Sequence, residues 1–110
     1  MNILINGAGG RMGRALTAMI AKGCNGAVLA GAVDPFVREE GILPSLDAFE
    51  GSAHCIIDFS NHAGTRALLD YAVAKGLPVV ICTTGHTEEE LAAIRAAAEH
   101  IPVLHSGNMS

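Results

Sequence analysis

The stretch from Gly7 to Gly13 constrains this chain more than any other. Its sequence, Gly-Ala-Gly-Gly-Arg-Met-Gly, follows the apolar run Ile3-Leu4-Ile5 and opens a helical pattern. The N–H groups of a first helical turn have no partners inside the helix, and the helix dipole adds partial positive charge there. Glycines allow a tight turn and let a phosphate approach with no Cβ in the way. A strand, this turn and a helix in succession therefore predict a phosphate site.

The spacing of the glycines is G-x-x-G-x-x-G through Gly7, Gly10 and Gly13, with Gly9 in addition. It departs from the strict G-x-G-x-x-G pattern, because methionine stands at its last glycine position. A glycine cluster alone is weak support, since many tight turns bind nothing. The position between a first strand and an amphipathic helix favours dinucleotide binding over a structural turn. A P-loop is disfavoured, since no Lys-Ser or Lys-Thr pair follows.

The rest of the chain alternates short apolar runs with helical patterns. We predict strands at 1–6, 28–33, 54–58, 79–81 and 101–105. Helices are predicted at 11–22, from 61 or 62 to 75, and after a capping box formed by Thr87 and Glu90. This order predicts an α/β fold, a Rossmann-like doubly wound parallel sheet in a three-layer αβα arrangement with both faces covered.

Finer expectations concern the helix faces and the poorly patterned stretch 36–52. The first helix should bury one face, made of Met12, Ala15, Leu16, Met19 and Ile20. The second should bury a stripe made of Leu68, Leu69, Ala72 and Val73. Ile42-Leu43 suits a minimal edge strand ended by Pro44, and Ser45 suits the cap of a single helical turn.

Composition excludes several classes of protein. Half of the residues are hydrophobic and 16% are charged, as in one compact globular domain. A formal charge of -4 and 4% aromatic residues argue against a nucleic-acid partner. No apolar run is long enough to cross a membrane, and the N-terminus lacks signal-peptide features. Three cysteines without CxxC spacing, Cys24, Cys55 and Cys82, indicate buried thiols in a reducing compartment, the cytoplasm by default.

Asp34 closes the second predicted strand, about 20 residues beyond the glycine turn, where a carboxylate reaches the adenosine ribose hydroxyls. An acidic residue before a proline turn is ordinary by itself, but together with the glycine turn it favours the ribose role. A carboxylate there repels a 2′-phosphate, so NAD should be accepted well. Arg38 either faces a 2′-phosphate or is a solvated loop charge, which leaves NADP open.

Two further loops leave the carboxyl ends of predicted strands, where ligands of open α/β sheets bind. These are Asp-Phe-Ser-Asn at 58–61 and Thr-Thr-Gly-His at 83–86. They would face the nicotinamide half of a cofactor, or supply only turn and capping chemistry. Arg11 would touch the pyrophosphate or remain solvated. The five histidines lack zinc spacing, and no nucleophile elbow occurs, so we predict no metal ligands and no catalytic residues.

Four segments carry a resemblance to a known family. They are Gly-Ala-Gly-Gly-Arg-Met-Gly-Arg at 7–14, Ile-Asp-Phe-Ser at 57–60, Thr-Thr-Gly at 83–85 and Asn-Met-Ser at 108–110. In this order and spacing they resemble the 4-hydroxy-tetrahydrodipicolinate (dihydrodipicolinate) reductases of lysine and diaminopimelate biosynthesis. The resemblance implies a cytoplasmic oxidoreductase that uses NAD(H), NADP(H) or both.

The same resemblance implies which residues bind the cofactor. The pyrophosphate would be held by Gly7, Ala8, Gly9, Gly10, Arg11 and Met12, and the ribose by Asp34. The loop against the nicotinamide would be Cys82, Thr83 and Thr84, with Ser106, Gly107, Asn108 and Met109 where the chain leaves the domain. Phe59 and Ser60 complete the predicted set. Two residues depart from the family pattern: Cys82 replaces an expected glycine, and His86 an apolar residue.

The family's substrate domain carries a His-His segment and a downstream lysine that bind and protonate the substrate, and it forms the tetramer. None of this is present in the 110 residues. We therefore expect 1–110 to be the NAD(P)-binding domain alone, truncated before the substrate domain, with nucleotide binding and little turnover. Two alternatives stay open. A short-chain dehydrogenase or epimerase would use the pair Tyr71 and Lys75, and a non-enzymatic NAD(H)-sensing module would use neither.

Overall fold

A computed structural model describes residues 1–23 and 25–106 of the chain. Its strands are β1 (Asn2–Asn6), β2 (Val28–Val33), β3 (Cys55–Asp58), β4 (Val79–Ile81) and β5 (Val103–His105). Its helices are α1 (Arg11–Ala21), α2 (Thr65–Lys75) and α3 (Glu88–Ala97). Short 3-10 turns occur at Leu46–Ala48 and His62–Gly64, the second at the predicted start of α2. The predicted order of elements is confirmed.

All strand pairs of the sheet are parallel, in the order β2-β1-β3-β4-β5. The predicted minimal edge strand is a single bridge, in which Leu43 pairs with Val33 beside β2. Counting that bridge as a strand, the order becomes the 3-2-1-4-5-6 order of a six-stranded Rossmann sheet. The predicted Rossmann-like α/β fold is confirmed.

The strands place alternate side chains on opposite faces of the sheet. One face, under α2 and α3, carries the larger core cluster, which includes Leu4, Ile56 and Ile81. The other face, under α1, carries a smaller cluster around Ile3, Ile5 and Ile20. Coverage on the α1 side is partial, because Leu104 of β5 is 59% exposed. On this face the cover extends over β1 and the end of β2, where Ala32 is buried, but does not reach β5.

The apolar face predicted for α1 is mostly wrong. Met12, Ala15 and Met19 are exposed and Leu16 is half-buried, whereas Gly13 and Ile20 are buried. Helix α1 meets the sheet along a narrow line, since the glycine turn brings its backbone close. The stripe predicted for α2 is correct for Leu68, Leu69 and Ala72, but Val73 is exposed.

The capping residues at the helix termini are largely as predicted. Thr87 and Glu90 form the full capping box at α3. Gly76 ends α2 in the left-handed conformation, with φ of 67°. The cap predicted at Ser45 is wrong, because its side chain makes no capping hydrogen bond and the 3-10 turn is closed by backbone alone. Asn61 caps the other 3-10 turn, its Oδ1 accepting from the Ala63 N–H.

The prediction of buried thiols is wrong for the two cysteines that the structure describes. Cys55 and Cys82 are free thiols but only half-buried, each at a strand end where the sheet is incompletely covered. Partial burial raises the pKa of the Cys55 thiol. The third, Cys24, lies outside the described residues. No described helix has the length and apolar character needed to span a bilayer.

Candidate functional site

The candidate site lies at the carboxyl ends of β1 and β3. The chain runs from β1 outward to β2 and then returns to β3 on the other side of β1, so the strand order reverses between these two strands. Ligands of open α/β sheets bind at such a point. The strand register aligns four final residues in one row across the sheet, namely Asn6, Asp58, Ile81 and His105.

The glycines of the turn differ in what surrounds them. A Cβ on Gly7 would lie 2.6 Å from backbone atoms of Phe59 and Ser60, and Gly7 has φ of 86°. A Cβ on Gly13 would overlap the Gly7 carbonyl oxygen and lie 2.7 Å from the Ala8 Cα. At Gly10 the nearest atom would be 3.7 Å away. Gly7 and Gly13 are therefore packing requirements, whereas Gly10 leaves open space at the helix N-terminus.

That open space is part of a cavity of about 350 Å³. It is lined by the start of α1 and by the loops after β3 and β4: Gly10, Arg11, Met12, Phe59, Ser60, Asn61, His62, Cys82, Thr83 and Thr84. The first N–H groups of α1 have no intrahelical partners, so this cavity suits an anion. The structure thus brings together eight residues of the predicted binding set, from three separate segments.

A second cavity of about 540 Å³ adjoins the first, because Ser60 and Asn61 line both. It extends beside the end of β2, where Pro35 and the 85%-exposed Phe36 lie, and reaches Tyr71 of α2. The two cavities form one extended cleft across the strand ends. Its volume is in the range of small-molecule and cofactor sites.

Three residues predicted to hold pyrophosphate do not line the smaller cavity. The N–H groups of Gly7 and Ala8 both donate to the Val33 carbonyl, at 2.7 and 3.0 Å. The Gly9 N–H donates to Asp34 Oδ2 at 2.9 Å. These donors hold the turn to β2, so only the later part of the turn presents free helix N–H groups to the cavity.

Asp34 is 7% exposed and lines neither cavity, although Val33, Pro35 and Phe36 line the larger one. Its Oδ2 accepts from Gly9, and its Oδ1 accepts from the Phe36 N–H at 2.9 Å. A carboxylate has about four acceptor positions, so these two bonds leave others for a sugar hydroxyl. The ribose contact stays a prediction.

Among the arginines near the cleft, Arg11 alone lines the smaller cavity and is exposed. Arg14 is held by a bidentate ion pair with Glu39 at 2.9 and 3.2 Å, and its Nε donates to the Gly9 carbonyl. Arg38 is exposed in the loop after β2. The 2′-phosphate of an NADP molecule would therefore have to bind Arg38, or displace Glu39 from its ion pair with Arg14.

The carboxylate of Asp58, absent from the predicted binding residues, organises the row of strand ends. Its Oδ1 accepts from Asn6 Nδ2 at 3.0 Å, from the Ser60 N–H at 3.1 Å and from the Ser60 hydroxyl at 2.5 Å. It is fully buried, and burial raises its pKa despite these bonds. Its Oδ2 has no partner among the described residues. Asp58 therefore fixes Ser60, which lines both cavities.

Three histidines that are far apart in sequence meet beside the 83–86 loop. The ring centroids of His86 and His105 are 4.7 Å apart, and those of His62 and His86 are 6.3 Å apart, both in edge-to-face arrangements. Sequence reasoning missed this cluster, because their spacing suggested no common site. Among residues 1–23 and 25–106, no group of three or more His, Cys, Asp or Glu is arranged to hold a metal ion.

Two remaining predictions concern Ser106 onward and the pair Tyr71 and Lys75. Ser106 lines neither cavity, and its hydroxyl donates to the Ile81 carbonyl at 3.2 Å. Gly107, Asn108 and Met109 lie outside the described residues. Tyr71 packs in the core, with the Lys75 ammonium 5.8 Å from its ring centroid. Neither lines the cavity of Thr83 and Thr84, which disfavours the dehydrogenase or epimerase alternative.

These features define a Rossmann-type α/β domain with an anion-suited cleft at its switch point. A family model described as "Dihydrodipicolinate reductase, N-terminus" matches residues 1–109. The chain therefore belongs to that family, and the resemblance seen in its motifs is confirmed.

Two relatives agree with this assignment. The 4-hydroxy-tetrahydrodipicolinate reductase of Alkaliphilus metalliredigens (strain QYMF) is 39% identical over 110 residues, which are 100% of this chain and 42% of that protein. The enzyme of the same name from Clostridium tetani (strain Massachusetts / E88) is 33% identical, over 100% of this chain and 44% of that protein. The chain thus spans less than half the length of these relatives.

In fold, the chain is similar to an oxidoreductase from Agrobacterium radiobacter, solved in complex with NAD+, L-tartaric acid and magnesium. The TM-score is 0.69 at 19% identity, over 94% of this chain and 34% of that one.

Proposed function

We propose that residues 1–110 form the NAD(P)-binding domain of a 4-hydroxy-tetrahydrodipicolinate reductase. The observation that carries the proposal is that the N-terminus of α1 and the loops after β3 and β4 line one cavity. The adjoining larger cavity gives room for a second half of an elongated ligand. Family membership and the NAD+ complex of the structural neighbour support the same ligand.

The residues present fit a dinucleotide. The pyrophosphate is assigned to the N–H groups of Arg11 and Met12, with Gly10 leaving room for close approach. The adenosine is assigned to the larger cavity beside Asp34, and the nicotinamide to the loop of Cys82, Thr83 and Thr84. NAD(P)H supplies hydride when bound, whereas this chain's residues bind and orient it.

In the full-length protein, hydride transfer would reduce 4-hydroxy-tetrahydrodipicolinate in lysine and diaminopimelate biosynthesis. The residues that hold and protonate the substrate are proposed to lie outside the 110 residues, which fits the 42% coverage of the Alkaliphilus relative. The isolated chain would then bind nucleotide with little turnover. We further propose a cytoplasmic, homotetrameric parent; the free thiols of Cys55 and Cys82 fit a reducing compartment.

Titration calorimetry of the 110-residue chain with NADH and NADPH tests the proposal. Binding of at least one nucleotide is expected, with Asp34→Ala weakening NADH more than NADPH. Asp70→Ala is the control, since Asp70 is an exposed acidic residue on α2 that lines neither cavity. Absence of binding to both nucleotides would refute the assignment. Parent-like steady-state turnover by the isolated chain would refute the placement of the substrate residues outside it.

A further inference from the structure

The histidine cluster is attached to the cleft through two of its members. His62 lines the smaller cavity, and its Nδ1 lies 2.8 Å from Glu90 Oε1. His86 Nε2 lies 3.2 Å from the hydroxyl of Thr83, which lines the same cavity. The cluster therefore borders the proposed ligand cavity through His62 and contacts the loop assigned to the nicotinamide through His86.

The contact between His86 and His105 connects that loop to the end of β5. The two rings meet edge to face at 4.7 Å and nearly at right angles, with an interplanar angle of 89°. His105 Nε2 is buried and has no hydrogen-bond partner among the described residues. Two imidazoles at this distance pack well when neutral and repel each other when both are charged.

Carboxylates and other histidines approach His86 from four elements. Asp58 lies at the end of β3, His62 in the 3-10 turn, Glu90 on α3 and His105 on β5. The carboxylates favour an imidazolium, while the neighbouring histidines oppose it. Burial is the largest influence, and it lowers the pKa of His86. Glu90 is already engaged, because its Oε1 also accepts from the Thr87 N–H at 2.8 Å.

We propose that His86 is a positioning residue for the 82–86 loop, and that its neutral form holds Thr83 in the geometry that binds the dinucleotide. The inference rests on the proposed function and adds a regulation to it. Protonation of His86 forces its Nε2 to act as a donor toward Thr83 and places a cation against His105. The loop then loses its support on β5, and dinucleotide affinity falls as the pH falls.

The test measures NADH dissociation constants from about pH 8 to about pH 5.5 by titration calorimetry. If NADH binding requires His86 to lose one proton, the affinity changes by at most about tenfold per pH unit. We therefore expect the wild-type dissociation constant for NADH to rise at least about threefold as the pH falls over this range. His86→Gln keeps an amide that can hydrogen-bond Thr83 but does not titrate, so its affinity should be nearly independent of pH. His100→Gln, which alters an exposed histidine beyond α3, should follow the wild type.

A second measurement needs no variant. In a proton-coupled loop, the Thr83 amide resonance should titrate with the same midpoint as the His86 ring. A Thr83 resonance that ignores the His86 titration overturns the proposal. So does a wild-type affinity that is flat or rises as pH falls, as simple attraction between imidazolium and phosphate would produce. A His86→Gln variant with the full wild-type slope overturns it as well. Loss of NADH binding at every pH would refute the proposed function and this inference together, whereas pH-independent binding refutes this inference alone.

Discussion

The carboxylate of Asp34 accepts a hydrogen bond from the Gly9 N–H at 2.9 Å, so the residue assigned to the ribose also holds the glycine turn. A Cβ on Gly9 would lie 2.8 Å from Asp34 Oδ2, and the close approach of the two residues depends on glycine. This hydrogen bond thus links the proposed adenosine site to the glycine turn that leads into the proposed pyrophosphate site.

Asp34→Ala removes this contact together with the proposed ribose contacts. Because a hydrogen bond to a charged group contributes about 1.5–3 kcal/mol, we expect NADH affinity to fall about tenfold to hundredfold. NADPH affinity should fall less, since the repulsion of its 2′-phosphate disappears at the same time. Asp34→Asn, which keeps one acceptor, should lie between. Equal losses for both nucleotides in calorimetry would remove the ribose assignment and leave only the structural contact.

Gly13→Ala and Gly10→Ala should separate folding from binding within one turn. The Gly13 variant sets a Cβ against the backbone of Gly7 and Ala8, so it should destabilise the fold by about 1–3 kcal/mol. The Gly10 variant has room, so its stability should stay within about 1 kcal/mol of wild type. Its Cβ would occupy space at the helix N-terminus and lower NADH affinity at least about tenfold, a change of about 1.4 kcal/mol. Urea unfolding and calorimetry measure the two effects, and a Gly10 variant with wild-type affinity would contradict the pyrophosphate site.

Asp58→Ala should be among the most destabilising substitutions at the cleft. It leaves the Asn6 amide and the Ser60 N–H without their acceptor in a buried place, at a cost of about 2–4 kcal/mol. Asp58→Asn keeps that acceptor and should lose less than half as much. Similar losses for both variants in urea unfolding would show that the carboxylate charge itself is required.

The contribution of Asp58 to the free energy of unfolding should decrease as the pH rises. Burial raises the folded pKa of Asp58, so the folded state binds more protons than the unfolded state above the ordinary aspartate pKa of about 3.9. Stability from this group is therefore present at low pH and falls as pH rises through the folded pKa. Relative to Asp58→Asn, the wild type should be more stable near pH 4 than near pH 7. The opposite trend in paired urea titrations would contradict the burial argument.

Thr87→Ala should destabilise α3 by about 1 kcal/mol, the usual value of an N-cap side chain. Thr87 Oγ1 accepts a hydrogen bond from the Glu90 N–H at 3.1 Å, and Glu90 Oε1 accepts one from the Thr87 N–H. Thr87→Ser keeps both bonds and serves as the control, with a loss below about half of that value. The midpoint of urea unfolding should shift at constant slope. A threonine-to-alanine change without effect would show that the capping box adds nothing to folding.

Several features of the fold were predictable because their causes are local. The strand runs, the capping box at Thr87 and the left-handed Gly76 follow from side-chain periodicity and backbone preference. The face of α1 was not predictable in this way. Met12 and Met19 have helical spacing with Ile20 but are exposed, because α1 approaches the glycine turn on its Gly13 side, where a Cβ would not fit.

The candidate site also has some parts that were predictable from sequence and others that were not. The glycine turn, the 58–61 loop and the 83–86 loop were recognisable because each follows an apolar strand. The central position of Asp58 and the inward turn of Asp34 were not, since they depend on partners distant in sequence, Asn6 of β1 for Asp58 and Gly9 of the glycine turn for Asp34.

The sequence by itself determined the class of fold, the family and the segments that surround the cleft. Local rules, which act over a few residues, are sufficient for the fold class and the segments, whereas the family followed from the resemblance of four motifs to known reductases. Only the tertiary structure decided that Asn6, Asp58, Ile81 and His105 lie in one row and that His86 meets His105 across it. The reason is that strand register and crossover place residues that are distant in sequence side by side, as with Asn6 and Asp58, and no local pattern encodes which of them will touch.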